Sequence, residues 1–124
     1  MEKVDCIISL NITFNKIFPY EMGLFTKGET HFSEFNQAYI LPHYYEKAPK
    51  DGVFDFDLMV ETHHEPLLKI STQLAAVYIW DNYPTDIKGI RVHAANNLLE
   101  QSLYYKALWE SERAMRYFDG DLDF

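Results

Sequence analysis

Two stretches of this chain alternate apolar and polar residues with a period of two, and this feature restricts its fold most tightly. In the first, Val4, Cys6, Ile8, Leu10, Ile12 and Phe14 fall on one side, with Asp5, Ser9, Asn11, Thr13 and Asn15 on the other. Ile7 is the lone apolar residue out of phase. In the second, Phe54, Phe56, Leu58 and Val60 oppose Asp55, Asp57, Met59 and Glu61. Successive side chains of an extended chain point to opposite faces, so both stretches read as strands with one face in a core.

The segments between them are less regular. Leu24-Phe25-Thr26 and Glu29-Thr30-His31-Phe32 flank Lys27-Gly28 and read as two short strands about a glycine turn. Residues 33–41 admit either a short helix capped by Ser33 or a strand, Tyr39-Ile40-Leu41, that stops before Pro42. Pro42 to Gly52 reads as a loop carrying His43, Tyr44 and Tyr45.

Two helices are predicted beyond the second strand. Pro66 suits a first helical position, and Leu67, Ile70, Leu74, Val77 and Tyr78 share a face at three-and-four spacing over residues 66–80. Asn82 and Pro84 end that element. The last runs from about residue 90 to Phe118, with Gly120 beyond its end. Val92, Ala95, Leu99, Leu103 and Tyr117 form one stripe there, while Tyr104, Tyr105, Leu108, Trp109 and Met115 spread around the cylinder. Strands first and helices last predict a single α+β domain over residues 1–124. Its expected architecture is an N-terminal antiparallel sheet of three to four strands against two C-terminal helices, not a βαβ parallel sheet.

Charge is distributed unevenly. The chain of 124 residues has a net charge of −8. Within residues 51–86, Lys69 alone opposes Asp51, Asp55, Asp57, Glu61, Glu65, Asp81 and Asp86. Direct gripping of nucleic-acid phosphates needs clustered cations, so this balance argues against it. Cys6 is the only cysteine, so no internal disulfide is available. No apolar run approaches the roughly 18 residues of a membrane helix, and the N-terminus lacks a signal-peptide layout. The expected location is cytoplasmic. Aromatic residues make up 16% of the chain, with nine Tyr matching nine Phe. Rings in that number either fill a small core or anchor an interface.

Catalytic motifs are few. The glycines are too scattered for a phosphate cradle, and no cofactor is expected. His63, His64 and Glu65 form the one metal-binding candidate, although adjacent residues of an extended chain point in opposite directions. Asp55 and Asp57 fall on the solvent side of their strand, where water would keep them ionised rather than raise them to general acids.

The leading expectation is a non-catalytic acidic module, an inhibitor or immunity-type protein, that docks on the basic surface of a nucleic-acid-handling protein such as a nuclease, a defence complex or a toxin. Its contact residues would be Asp55, Asp57, Glu61, Asp81 and Asp86 with Tyr44 and Tyr45 as anchors. The alternatives are a small metal-dependent enzyme or metal-binding protein at His63, His64 and Glu65, and a structural homo-oligomer joined through Tyr105 and Trp109.

Overall fold

The computed structural model describes residues 1–15, 21–32, 37–62, 71–84 and 86–103. Strands account for 67% of the described residues and none is helical. The α+β expectation is therefore corrected to an all-β architecture of two facing sheets.

The first sheet centres on β5 (Val53–Glu61). One edge of β5 pairs antiparallel with β4 (Gln37–Pro42), from Gln37 opposite Glu61 to Pro42 opposite Phe56. Its other edge is shared: β1 (Glu2–Lys3) pairs antiparallel at Met59 and Val60, and β7 (Gly89–His93) pairs parallel from Val53 to Asp57. β8 (Leu98–Ser102) then pairs antiparallel with β7. The second sheet is fully antiparallel, with β3 (Glu21–Thr30) between β2 (Cys6–Asn15) and β6 (Thr72–Asp81). β4 lies alongside β6, and β2 alongside β8, so the sheets approach each other along both flanks.

One hydrophobic cluster fills the space between them. β5 contributes Phe54, Phe56, Leu58 and Val60, as its alternation predicts, and these meet Met22 and Leu24 of β3, Leu74 and Ala76 of β6, and Ile90 and Val92 of β7. Much of the aromatic content lies here. Trp80 stands edge-on to Phe54 and Phe56 at centroid distances of 5.4 and 5.5 Å, and Tyr83 joins it to Phe14. Such edge-to-face pairs add to the area each ring buries.

Both expected C-terminal helices fail where they can be compared. Residues 72–81 form β6, because Leu74, Ala76, Tyr78 and Trp80 turn inward while Gln73, Ala75, Val77 and Ile79 are exposed. The three-and-four spacing of Leu74, Val77 and Tyr78 coexists with this period of two, and the run Val77-Tyr78-Ile79-Trp80 favours the pleated form. Residues 90–103 form most of the β7–β8 hairpin, with Val92 opposite Leu99. Residues 66–70 and 104–118 of those two helices lie outside the described residues. The parallel pairing of β5 with β7 also departs from the expected antiparallel sheet.

The two short strands about Lys27-Gly28 are instead one continuous strand, β3. Gly28 faces inward between Ile7 and Leu74. A Cβ there would lie 2.8 Å from the Cys6 carbonyl oxygen and 3.0 and 3.1 Å from the Leu58 and Val4 side chains. The glycine marks close approach rather than a turn. The short-helix option for residues 33–41 likewise yields to a strand from Gln37, with Pro42 tolerated at its end because β4 pairs through β5 alone in its sheet.

Ile7 departs from its alternation for a physical reason. The β2–β3 register slips between Ile7 and Ser9, leaving Ile8 as the extra residue of a β-bulge. Ile7 is thereby buried, Ile8 is exposed and Cys6 is half-buried, while Leu10, Ile12 and Phe14 regain the inward phase.

A clamp holds the chain where it passes from one sheet to the other. The Val4 N–H donates to the Leu58 carbonyl, and the Val4 and Asp5 carbonyls accept from Ala95 and Asn96. The Asn97 amide then accepts from the Ile7 N–H at 2.8 Å and donates to the Ile7 carbonyl at 2.9 Å.

Two substitutions test these assignments. Gly28→Ala should destabilise by roughly 1–3 kcal/mol through overpacking, the reverse of the small gain expected where the backbone has room. Asn97→Ala should cost about 1–2 kcal/mol by orphaning two backbone groups. Urea midpoints at constant m measure both.

Candidate functional site

The alternation that sends four apolar β5 residues into the core sends Asp55 and Asp57 to the opposite face. Register then decides their neighbours. In the β5–β7 pairing Asp55 lies opposite Arg91 and Asp57 opposite His93, and in β7–β8 Arg91 lies opposite Glu100. Lys3 of β1 and Leu41 of β4 reach the same face from the other strands.

Asp55 has the densest set of partners. Arg91 donates through Nε to Oδ1 at 2.7 Å and through Nη2 to Oδ2 at 3.2 Å, a bidentate pair. His93 Nε2 lies 2.8 Å from Oδ1, and the Tyr45 hydroxyl donates to Oδ2 at 3.1 Å while accepting from the Asp55 N–H at 2.9 Å. Burial by itself would push the Asp55 pKa up. The hydrogen bonds from Arg91, His93 and Tyr45, with the Arg91 charge, overcome it and hold the carboxyl well below the usual carboxylate range. Asp55 is thus a fixed anion, unsuited to proton donation near neutrality. The Arg91 pKa is raised, chiefly by the hydrogen bond to Asp55 and further by the nearby charges of Asp55, Glu100 and Asp51.

Asp57 is held more loosely. Its buried Oδ1 lies 3.0 Å from His43 Nε2 and 3.6 Å from Lys3 Nζ, and neither contact is an aligned hydrogen bond. His43 is anchored by its backbone N–H on the Asp55 carbonyl. The His43 and His93 rings stack with centroids 5.6 Å apart and planes 18° from parallel. Tyr45 joins the cluster to the interior by packing edge-on against Phe54 at 5.4 Å.

The remaining expected contact residues are dispersed. Tyr44 is 86% exposed between His43 and Tyr45. Glu61, at the far end of β5, accepts a hydrogen bond from the Tyr39 hydroxyl, and that bond raises the Tyr39 pKa. Asp81 belongs to the other sheet, where its hydrogen bond with Glu21 raises the Glu21 pKa. Asp86 is exposed in the link between β6 and β7. Of the seven residues, Asp55, Asp57 and Tyr45 come together, with Tyr44 beside them in the chain. His63, His64 and Glu65 lie outside the described residues, as do Tyr105 and Trp109. No group of three metal-ligating side chains occurs among the described residues.

Four members of the cluster were not among the expected contact residues: Lys3, His43, Arg91 and His93. For Arg91 and His93 a signal existed, since Ile90 and Val92 alternate with them in a strand-like pattern that a helical reading obscured. Among the described residues, no helix is long and apolar enough to cross a membrane. In comparison with known proteins, no family model, curated protein or solved structure matches this chain.

The depressed pKa makes Asp55 a pH-dependent contributor to stability. Its contribution is complete above the ordinary Asp range near ~4 and shrinks as the pH falls below that range, where the unfolded chain binds more protons than the folded one. Urea midpoints at pH 7, 4 and 2.5 should fall more steeply for the wild type than for Asp55→Asn.

Proposed function

We propose that the outer face of the β4-β5-β7-β8 sheet is an acidic docking surface for a basic protein. The observation that carries this reading is the concentration of four carboxylates on that face and its rim, Asp51, Asp55, Asp57 and Glu100, with Glu61 further along β5, against the two cations Lys3 and Arg91. Those positions leave an excess of three negative charges. Asp55 and Asp57 are engaged by the chain's own cations and serve to stiffen the surface. Contact falls chiefly to Asp51 and Glu100, which Arg91 approaches only at 3.9 Å and whose side chains are 59% and 48% exposed, with the exposed ring of Tyr44 as an aromatic anchor.

An acidic field on a rigid sheet steers encounter with cationic partners and sets their register. The cationic surfaces of the cytoplasm belong largely to proteins that handle nucleic acid, so the proposed role is that of a cytoplasmic inhibitor or immunity-type protein acting on a nuclease, defence complex or toxin.

Histone and poly-L-lysine serve as cationic probes. Both should bind the wild type at low salt, with affinity falling as salt rises. The double variant Asp51→Lys, Glu100→Lys should bind at least about threefold more weakly with a shallower salt dependence. Equal affinity of wild type and double variant, with the variant still folded, overturns the assignment.

A further inference from the structure

We infer that His43 and His93 make this face pH-responsive, so that mild acidification weakens its hold on cations; the inference rests on the docking function proposed above. The stacked imidazoles sit in the middle of the face, each with Nε2 on a β5 carboxylate: His43 at 3.0 Å from Asp57 and His93 at 2.8 Å from Asp55. The elements around them place charged or titratable groups nearby, while β4 sets the apolar Leu41 opposite Asp57. β1 supplies Lys3, β5 Asp55 and Asp57, β7 Arg91 and β8 Glu100, while the segment between β4 and β5 supplies Tyr45 and Asp51.

Imidazole is the side chain whose ordinary charge change falls between pH 5 and 8. Two imidazolium charges added to the five carboxylates, Glu61 included, and two cations of the docking surface would change their sum from three negative charges to one. They also act where they matter most. Asp55 Oδ1 already lies between Arg91 and His93, and Asp57 Oδ1 between Lys3 and His43, so each imidazolium would add positive charge beside a carboxylate that a cation of the molecule already pairs. Less of the field then reaches a partner. Both rings are partly exposed, with side chains 39% and 27% accessible, so protons reach them without unfolding.

Binding of poly-L-lysine at pH 7.5 and 5.5, at fixed low ionic strength, tests the inference. The polymer keeps its charge over that range because lysine titrates near ~10.4. Wild-type affinity should fall by about threefold or more on acidification, and the double variant His43→Gln, His93→Gln should lose most of that pH dependence. His31, His63 and His64 are retained in both proteins and cancel in the comparison. An equal fall in the double variant overturns the inference and leaves the docking surface standing. So does wild-type binding that is the same at both pH values. A wild type that binds the polymer at neither pH overturns both.

Discussion

The structure depends on the two-sidedness of β5. Its four apolar side chains form the floor of the core and its intervening carboxylates form the candidate site, so both are fixed by one backbone paired along both edges. Because the side-chain period is two, a slip of one residue would exchange Phe56 for Asp57 and bury charge in place of rings. Burial of an unpaired carboxylate is prohibitive, which ties the register of the central strand to the placement of Asp55 and Asp57.

The interior and the surface site are also joined through rings. From Phe14 the contacts run through Tyr83 and Trp80 to Phe54, then to Tyr45, whose hydroxyl ends on Asp55. Tyr45 thus combines an apolar body in the aromatic cluster with a polar tip in the charged one.

How much could be read from sequence followed from locality. β5 was legible because its pattern has a single interpretation, and β2 was legible apart from a bulge that only pairing with β3 reveals. β6 was not, since Leu74, Val77 and Tyr78 satisfy a helical spacing while Leu74, Ala76, Tyr78 and Trp80 satisfy an extended one. The choice between them is made by packing against β3, which no local window contains. The acidic character of the site was likewise legible and its partners were not. Arg91 and His93 lie 36 and 38 residues from Asp55 and meet it through a parallel pairing that the order of elements had argued against. Gly28 was misread for a similar reason: a glycine forced by a neighbouring backbone looks, in one dimension, like a glycine forced by a turn.

The clamp at Val4 to Ile7 has a consequence for biosynthesis. β2 leaves the ribosome well before β7 and β8, yet the amide that secures its bulge belongs to Asn97 and the groups that hold Val4 and Asp5 belong to Ala95 and Asn96. β2 therefore stays incompletely tethered until the β7–β8 hairpin has emerged, and native closure of the two sheets waits for that hairpin.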